Sequence, residues 1–370
     1  MAVHDKLAQT GPRKLLALDG GGIRGMLTVE VLARIEQLLQ ESLGRGDDFV
    51  LADYFDYIGG TSTGAIIATC LALGLRIDRI RQFYQQSGKD MFDKASIRQR
   101  FRYKFADDKL AEQLRQIIGA DTTLGSDRLR TLLLLVMRNA TTDSPWPLSN
   151  NPTAKFNLDE QESNLRLPLW QLVRASAAAP VYFPPEVIGV GAKTFVFVDG
   201  GVSMYNNPAF QLFLMATVEP YNLCWETGTD KMLLVSIGTG TSARANENLS
   251  PEEMNLLYNA SSIPSALMAA ALHEQDFLCR VFGACLIGDA LDMEVGNMQT
   301  LRGPVEPKLF TYLRYNADLS REGLDRLRLP RIKPEHVQRL DSVDHICELQ
   351  QVGRAVASEV SVDHFAGFLQ

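Results

Sequence analysis

Gly60-Thr61-Ser62-Thr63-Gly64 holds a serine between two glycines at the spacing of a nucleophile elbow. That chemistry needs a strand, a sharp turn and a helix, with the hydroxyl at the tip of the turn. Gly60 and Gly64 suit such a turn because its backbone is strained and neighbouring chains pass close. A helix starting just after Ser62 would aim its positive end at the hydroxyl. Taken alone, the pentapeptide also allows a plainer reading, a serine that only caps a helix.

A second glycine turn lies upstream. Gly20, Gly22 and Gly25 satisfy G-x-G-x-x-G, which permits a dinucleotide site when an acidic residue ends the next strand about 20 positions on. Glu41 has that distance but sits in a polar, helix-like segment closed by Gly44, so the dinucleotide reading is weak. The successive glycines Gly20, Gly21 and Gly22 let backbone N–H groups approach a reacting centre unobstructed, and convergent N–H groups stabilise a developing oxyanion. Close packing is the alternative use of such a turn.

A serine hydroxyl needs a base. In the order of an α/β-hydrolase triad, that would be a carboxylate followed by a histidine. His273, His336, His345 and His364 come late enough, but none lies in a glycine-rich turn at a strand end. Asp199, before Gly200 and Gly201, fits better: it follows an apolar run at 194–198 and should arrive at the same sheet edge as Ser62. A carboxylate in a partly dry site can act directly on a hydroxyl.

The elements that must position these groups read as follows. Strands are expected at 14–18, 54–58, 132–137, 194–198 and 232–237, with helices after Gly25 and over 65–73. Strands alternating with helical patterns imply an α/β fold with a mainly parallel sheet, whose functional groups gather at the carboxyl ends of the strands. Tyr57 to Leu75 is uncharged and long enough to span a membrane, yet its Gly-Gly-Thr-Ser-Thr-Gly core is turn chemistry. The expected division is a tail at 1–12, a catalytic core at 13–242, and a mainly helical extension at 243–370 packed on that core with a regulatory role open to it.

Composition narrows the classes. With 46% hydrophobic and 22% charged residues, the 370-residue chain is globular rather than disordered. A formal net charge of -7 argues against a nucleic-acid polymer as partner. Five scattered cysteines, none in a Cys-x-x-Cys pair, suit a reducing compartment. The histidines lack zinc-ligand spacing, so no metal and no cofactor is expected.

As a set, these motifs resemble the signatures of patatin-like lipid acyl hydrolases: Asp19-Gly20-Gly21-Gly22-Ile23-Arg24-Gly25, Gly60-Thr61-Ser62-Thr63-Gly64 and Asp199-Gly200-Gly201. The segments 175–185, Asn206-Asn207-Pro208 and 236–241 are also similar. The resemblance runs unbroken over about residues 13–242, and no motif position departs from it. It implies a three-layer α/β/α fold and a Ser–Asp dyad, with Ser62 the nucleophile and Asp199 the general base. Gly20, Gly21, Gly22 and Gly25 would form the oxyanion turn, with Arg24 beside it. The implied substrates are acyl esters of phospholipids at a membrane surface. An acyltransferase, or a storage or scaffold protein with an unused dyad, remains the alternative.

After residue 242 the likeness is looser. The segment 309–316 and the tail through Asp341 resemble those of bacterial patatin-like effectors, some of which serve in antiphage defence and are switched on by cyclic nucleotides. A cyclic-nucleotide activator, a cytoplasmic location and action at the inner membrane surface are the resulting expectations. The oligomeric state is not legible. Two charged regions are left over. Residues 89–105 interleave basic and aromatic side chains, which suits a lipid interface or a solvated helix face. Residues 302–339 hold nine Lys/Arg against five Asp/Glu, an excess that suits an anionic effector or an ordinary helical surface.

Overall fold

The computed structural model describes residues 3–92, 107–159, 162–180, 182–241, 256–299 and 302–369. Among them are the strands β1 (Arg13–Leu18), β2 (Tyr57–Thr61), β3 (Leu132–Asn139), β4 (Ser144–Ser149) and β5 (Glu186–Val190). Four more follow: β6 (Lys193–Asp199), β7 (Met232–Ile237), β8 (Ala284–Ile287) and β9 (Thr311–Tyr315). All belong to one sheet, ordered β5-β6-β3-β2-β1-β7-β9-β8, with β4 paired to β3. β3, β2, β1, β7, β9 and β8 pair in parallel, while β4, β5 and β6 form antiparallel pairs.

The central strands are apolar on both faces because both faces are covered. Leu16, Leu18, Ile58, Leu133, Leu135 and Val235 join a core built with the helices Gly25–Ser42, Thr63–Ala72, Leu169–Ser176 and Ile346–Ala357. Leu15, Ala17, Tyr57, Leu134 and Leu234 face the opposite core, with the helix Ala209–Thr217 and Cys279 of the helix Leu256–Phe282. The alternation of consecutive residues between two cores makes three layers, the expected α/β/α arrangement.

Several boundaries differ from the sequence reading. Tyr54 belongs to a helical turn, Leu51–Tyr54, whose Asp53 carboxylate accepts the Val50 N–H at 3.2 Å. The strand therefore starts at Tyr57 and runs through Gly59 and Gly60, directly into Ser62. The N-terminal tail contains the helix Val3–Ala8, tied down by Lys6, which is 1% exposed and donates to Asp56 Oδ1 at 3.3 Å. The sheet does not stop at residue 242: β9 pairs with β7, register Leu234↔Tyr312, and carries β8 beyond it. The candidate lipid-facing segment at 89–105 lies almost wholly outside the described residues.

β6 departs most usefully from expectation. β4 takes one edge of β3 over 134–139, so β2 and β6 must share the other. β2 ends with Thr61 opposite Val136, and β6, running the other way, ends with Asp199 opposite Met137. The two strands thus meet head to head along β3, each delivering its last residue to the same place.

Candidate functional site

Ser62 stands at the junction of β2 and the helix Thr63–Ala72, with φ 56° and ψ -123°. A non-glycine residue there carries backbone strain of about 1–3 kcal/mol, sustained by its surroundings. The surroundings are close. A Cβ on Gly64 would collide with the Leu18 carbonyl oxygen, and one on Gly60 with the Gly64 carbonyl. The Ser62 N–H donates to Ser176 Oγ at 2.9 Å, and that hydroxyl donates to the Val136 carbonyl at 2.5 Å. The turn is therefore pinned to β3 through one side chain of the 169–176 helix.

The Ser62 hydroxyl donates to Asp199 Oδ2 at 2.6 Å. The other carboxylate oxygen, Oδ1, accepts the Gly201 N–H at 2.6 Å, so Asp199 caps the short 3-10 turn Gly200–Val202. Asp199 is 4% exposed. Burial pushes its carboxyl up to about 6, while the hydrogen bonds from Ser62 and Gly201 pull the other way. It remains ionised at neutral pH yet is more basic than an ordinary carboxylate, which suits proton abstraction. Gly200 lies against the Val136 carbonyl and Gly201 against Asn206, so neither site has room for a Cβ without movement.

The glycine turn at 20–25 divides its labour more finely than expected. The Gly20 N–H is used: it donates to the Asn206 carbonyl at 3.0 Å. A Cβ on Gly20 would sit 3.2 Å from Ser62 Cβ, which puts this turn against the elbow. Among the described residues no acceptor is found for the N–H groups of Gly21 and Gly22, and Gly22 has φ 60°. Gly25 begins the helix Gly25–Ser42 and lies over Thr63, with 2.6 Å between its would-be Cβ and Thr63 Oγ1, so it is a packing position. Arg24 is buried behind the turn, its Nε donating to the Gly21 carbonyl at 3.4 Å and Nη1 to Gln338 at 3.4 Å. Burial lowers Arg24 to about 10.

Three supports of this turn were not singled out by sequence reasoning, although all lie in segments that carry the family likeness. Thr239 Oγ1 donates to the Gly20 carbonyl at 2.9 Å and fills the space a Gly21 side chain would need. Asn206 supplies the acceptor for Gly20. Arg314 of β9 makes a two-pronged pair with Asp19, at 3.0 and 2.6 Å, and donates to Ser236 Oγ at 2.7 Å. Asp19 and Arg314 are 2% and 4% exposed. The residue that opens the glycine turn is thus held from a strand beyond residue 242. Arg314 belonged to the basic excess at 302–339, but it is buried and paired, and Arg326 and Arg339 are paired with Asp318 and Asp341.

The hydrogen bonds of His336, His345 and His364 are to residues other than Ser62 and Asp199. His364 Nδ1 meets the Tyr315 hydroxyl at 2.8 Å. His336 and His345, far apart by ligand-spacing rules, come together at Glu348. Their spacing in the sequence gives no sign of this convergence.

Comparison with known proteins finds relatives of this chain. The model of the family described as patatin-like phospholipase matches residues 16–213. A cGAMP-activated phospholipase of Vibrio cholerae is 32% identical over 208 residues, 53% of this chain and 56% of that protein. Patatin-T5 of Solanum tuberosum is 27% identical over 325 residues, 78% of this chain and 81% of that one. The chain thus spans little more than half the length of the Vibrio relative. The crystal structure of VipD from Legionella pneumophila covers 92% of this chain and 67% of its own, at 16% identity and a TM-score of 0.38. The matched segment, just over half of the chain, includes the glycine turn, the elbow and Asp199. The chain belongs to the patatin-like phospholipase family.

Proposed function

We propose that this protein hydrolyses acyl esters of membrane glycerophospholipids, with Ser62 as nucleophile and Asp199 as general base. The observation that carries this reading is the 2.6 Å hydrogen bond from the strained Ser62 to the buried carboxylate of Asp199. Asp199 Oδ2 takes the hydroxyl proton as Ser62 Oγ attacks the acyl carbonyl carbon. Charge then builds on the carbonyl oxygen beside the N–H groups of Gly21 and Gly22, which are the donors of the glycine run left for it. Collapse of the tetrahedral species expels the lysophospholipid, and Asp199 returns the proton to the leaving oxygen. Water, activated by the same carboxylate, releases the fatty acid from Ser62.

A membrane substrate also draws support from the surface beside the base. Val202 and Met204 follow the aspartate turn directly and are 36% and 49% exposed. Exposed apolar side chains so close in sequence to Asp199 suit contact with acyl chains. No described helix is long and apolar enough to cross a membrane. We further propose action at the cytoplasmic face of the inner membrane, and activation by a cyclic nucleotide in an antiviral defence role. The name of the Vibrio relative, a cGAMP-activated phospholipase, motivates the activator.

A fluorophosphonate probe tests the nucleophile. Intact-mass analysis with and without cyclic nucleotides should find one adduct per chain, mapped to Ser62. Its absence from Ser62→Ala and slow formation in Asp199→Asn are expected. Labelling at a different serine would overturn the assignment.

A further inference from the structure

We infer that His336, His345 and Glu348 form a binding site for a divalent transition metal ion of the zinc class. This ion would fasten the loop that contacts the glycine turn. His336 lies in the helix Pro334–Val337, His345 immediately precedes the helix Ile346–Ala357, and Glu348 is in the first turn of that helix. Both imidazoles present Nδ1 to one carboxylate: His336 at 3.0 and 3.1 Å from its two oxygens, His345 at 3.3 Å from Oε1. One ligand atom from each of the three residues lies within 4.8 Å of the other two. Among the described residues, it is the one group of three or more His, Cys, Asp or Glu side chains that converges in this way.

The N···O separations approach those found around a small ion. Two ligands each about 2.0–2.1 Å from a tetrahedral ion sit about 3.3–3.4 Å apart, close to the N···O separations seen. Two imidazoles and one carboxylate favour zinc and its late transition-metal neighbours over magnesium or calcium, which prefer all-oxygen shells. Three protein ligands leave a further position to water. The rings stack at 3.7 Å with 15° between their planes. An ion must lie near the plane of each ring, so loading requires the rings to turn apart. Both side chains are about three-tenths exposed and border solvent.

The consequence lies in the loop between the two histidines. The Leu340 carbonyl accepts the Ile23 N–H at 3.0 Å and stands where a Gly22 side chain would be. The Gln338 carbonyl accepts from Arg24 at 3.4 Å. Joining residues 336, 345 and 348 through one ion closes this loop at its base and narrows its freedom. The ion thereby steadies the backbone that backs the glycine turn, without touching Ser62 or Asp199.

The test uses the full chain, stripped with a chelator and dialysed, then titrated with zinc by calorimetry. One zinc ion per chain with a micromolar or tighter Kd is expected, and magnesium should give no heat. Affinity should fall at least tenfold in His336→Ala, His345→Ala and Glu348→Gln, and stay within twofold in Cys347→Ser, since Cys347 is an exposed neighbouring thiol. Zinc should also slow amide exchange at Ile23 at least threefold in the wild type and not in His336→Ala. Melting of each metal-free variant checks that it is folded. No zinc binding by the wild type, or binding kept by folded His336→Ala and lost from Cys347→Ser, would overturn the assignment.

Discussion

Ser62 and Asp199 are joined by a 2.6 Å hydrogen bond although the strands that carry them run in opposite directions. β2 and β6 occupy one edge of β3 end to end, and the pair forms where they meet. Both partners therefore depend on the same stretch of β3: Val136 lies opposite Thr61 and Met137 opposite Asp199. In the proposed dyad Asp199 needs no third side chain to orient it, because the Gly201 N–H holds the far oxygen of the carboxylate.

The base should set the pH dependence. Asp199 must be ionised to accept the hydroxyl proton, and burial lifts it to about 6. We expect kcat/KM to rise with pH through an inflection near 6 and then level off. The stability effect has the opposite sign to that of a paired carboxylate. Between the unfolded value of 3.8 and about 6 the folded protein binds the extra proton, so stability contributed by this group falls as pH rises through that window. Two pKa units correspond to about 3 kcal/mol. Asp199→Asn should therefore melt at or above the wild type at pH 8 while losing about 10²–10⁴-fold in turnover. Calorimetric melts at pH 5 and pH 8, beside the activity profile, check both halves.

Glycine substitutions should separate tight from open sites. Gly64→Ala places a methyl group on the Leu18 carbonyl and should destabilise the fold by more than about 2 kcal/mol. Gly367→Ala meets nothing within 4 Å and should be neutral or mildly stabilising. Denaturant melts of the two variants make the comparison.

The pair of Asp19 and Arg314 predicts strong coupling across residue 242. Arg314→Met leaves a buried carboxylate without its partner and should cost about 3–5 kcal/mol. The double change Asp19→Asn with Arg314→Met should cost less than the sum of the single changes. A double-mutant cycle on unfolding free energies measures this, and additivity would contradict it.

Ser176 should matter more than its chemistry suggests. Its hydroxyl links the Ser62 N–H to the Val136 carbonyl. Ser176→Ala orphans a donor at the strained elbow and should cost about 1–3 kcal/mol. We expect kcat to fall while KM changes little, which steady-state kinetics on a soluble ester would resolve.

Much of this was legible in the sequence because glycine spacing is a backbone signal. Gly60, Gly64 and the run at 20–22 announced close chain approaches, and those approaches are present. Asp199 was legible for the same reason, from Gly200 and Gly201. Strand direction was not: an apolar run such as 194–198 reads alike in parallel and antiparallel strands, so the approach of β6 from the far side had no local mark. The use of the Gly20 N–H by Asn206 and the pairing of Asp19 with Arg314 span 186 and 295 residues. Contacts of that separation leave no periodic trace. His336 and His345 read as scattered because eight intervening residues match no ligand spacing, and only the turn at 338–345 brings them to Glu348.

The most direct test of the central claim is fatty acid release from mixed-phospholipid vesicles, measured by mass spectrometry. Wild type, Ser62→Ala and Asp199→Asn are compared with and without a panel of cyclic nucleotides. The account predicts release by the wild type, enhanced by a cyclic nucleotide, abolished in Ser62→Ala and reduced at least a hundredfold in Asp199→Asn. Release that persists undiminished in folded Ser62→Ala, or none from the wild type under any of these conditions, would contradict it.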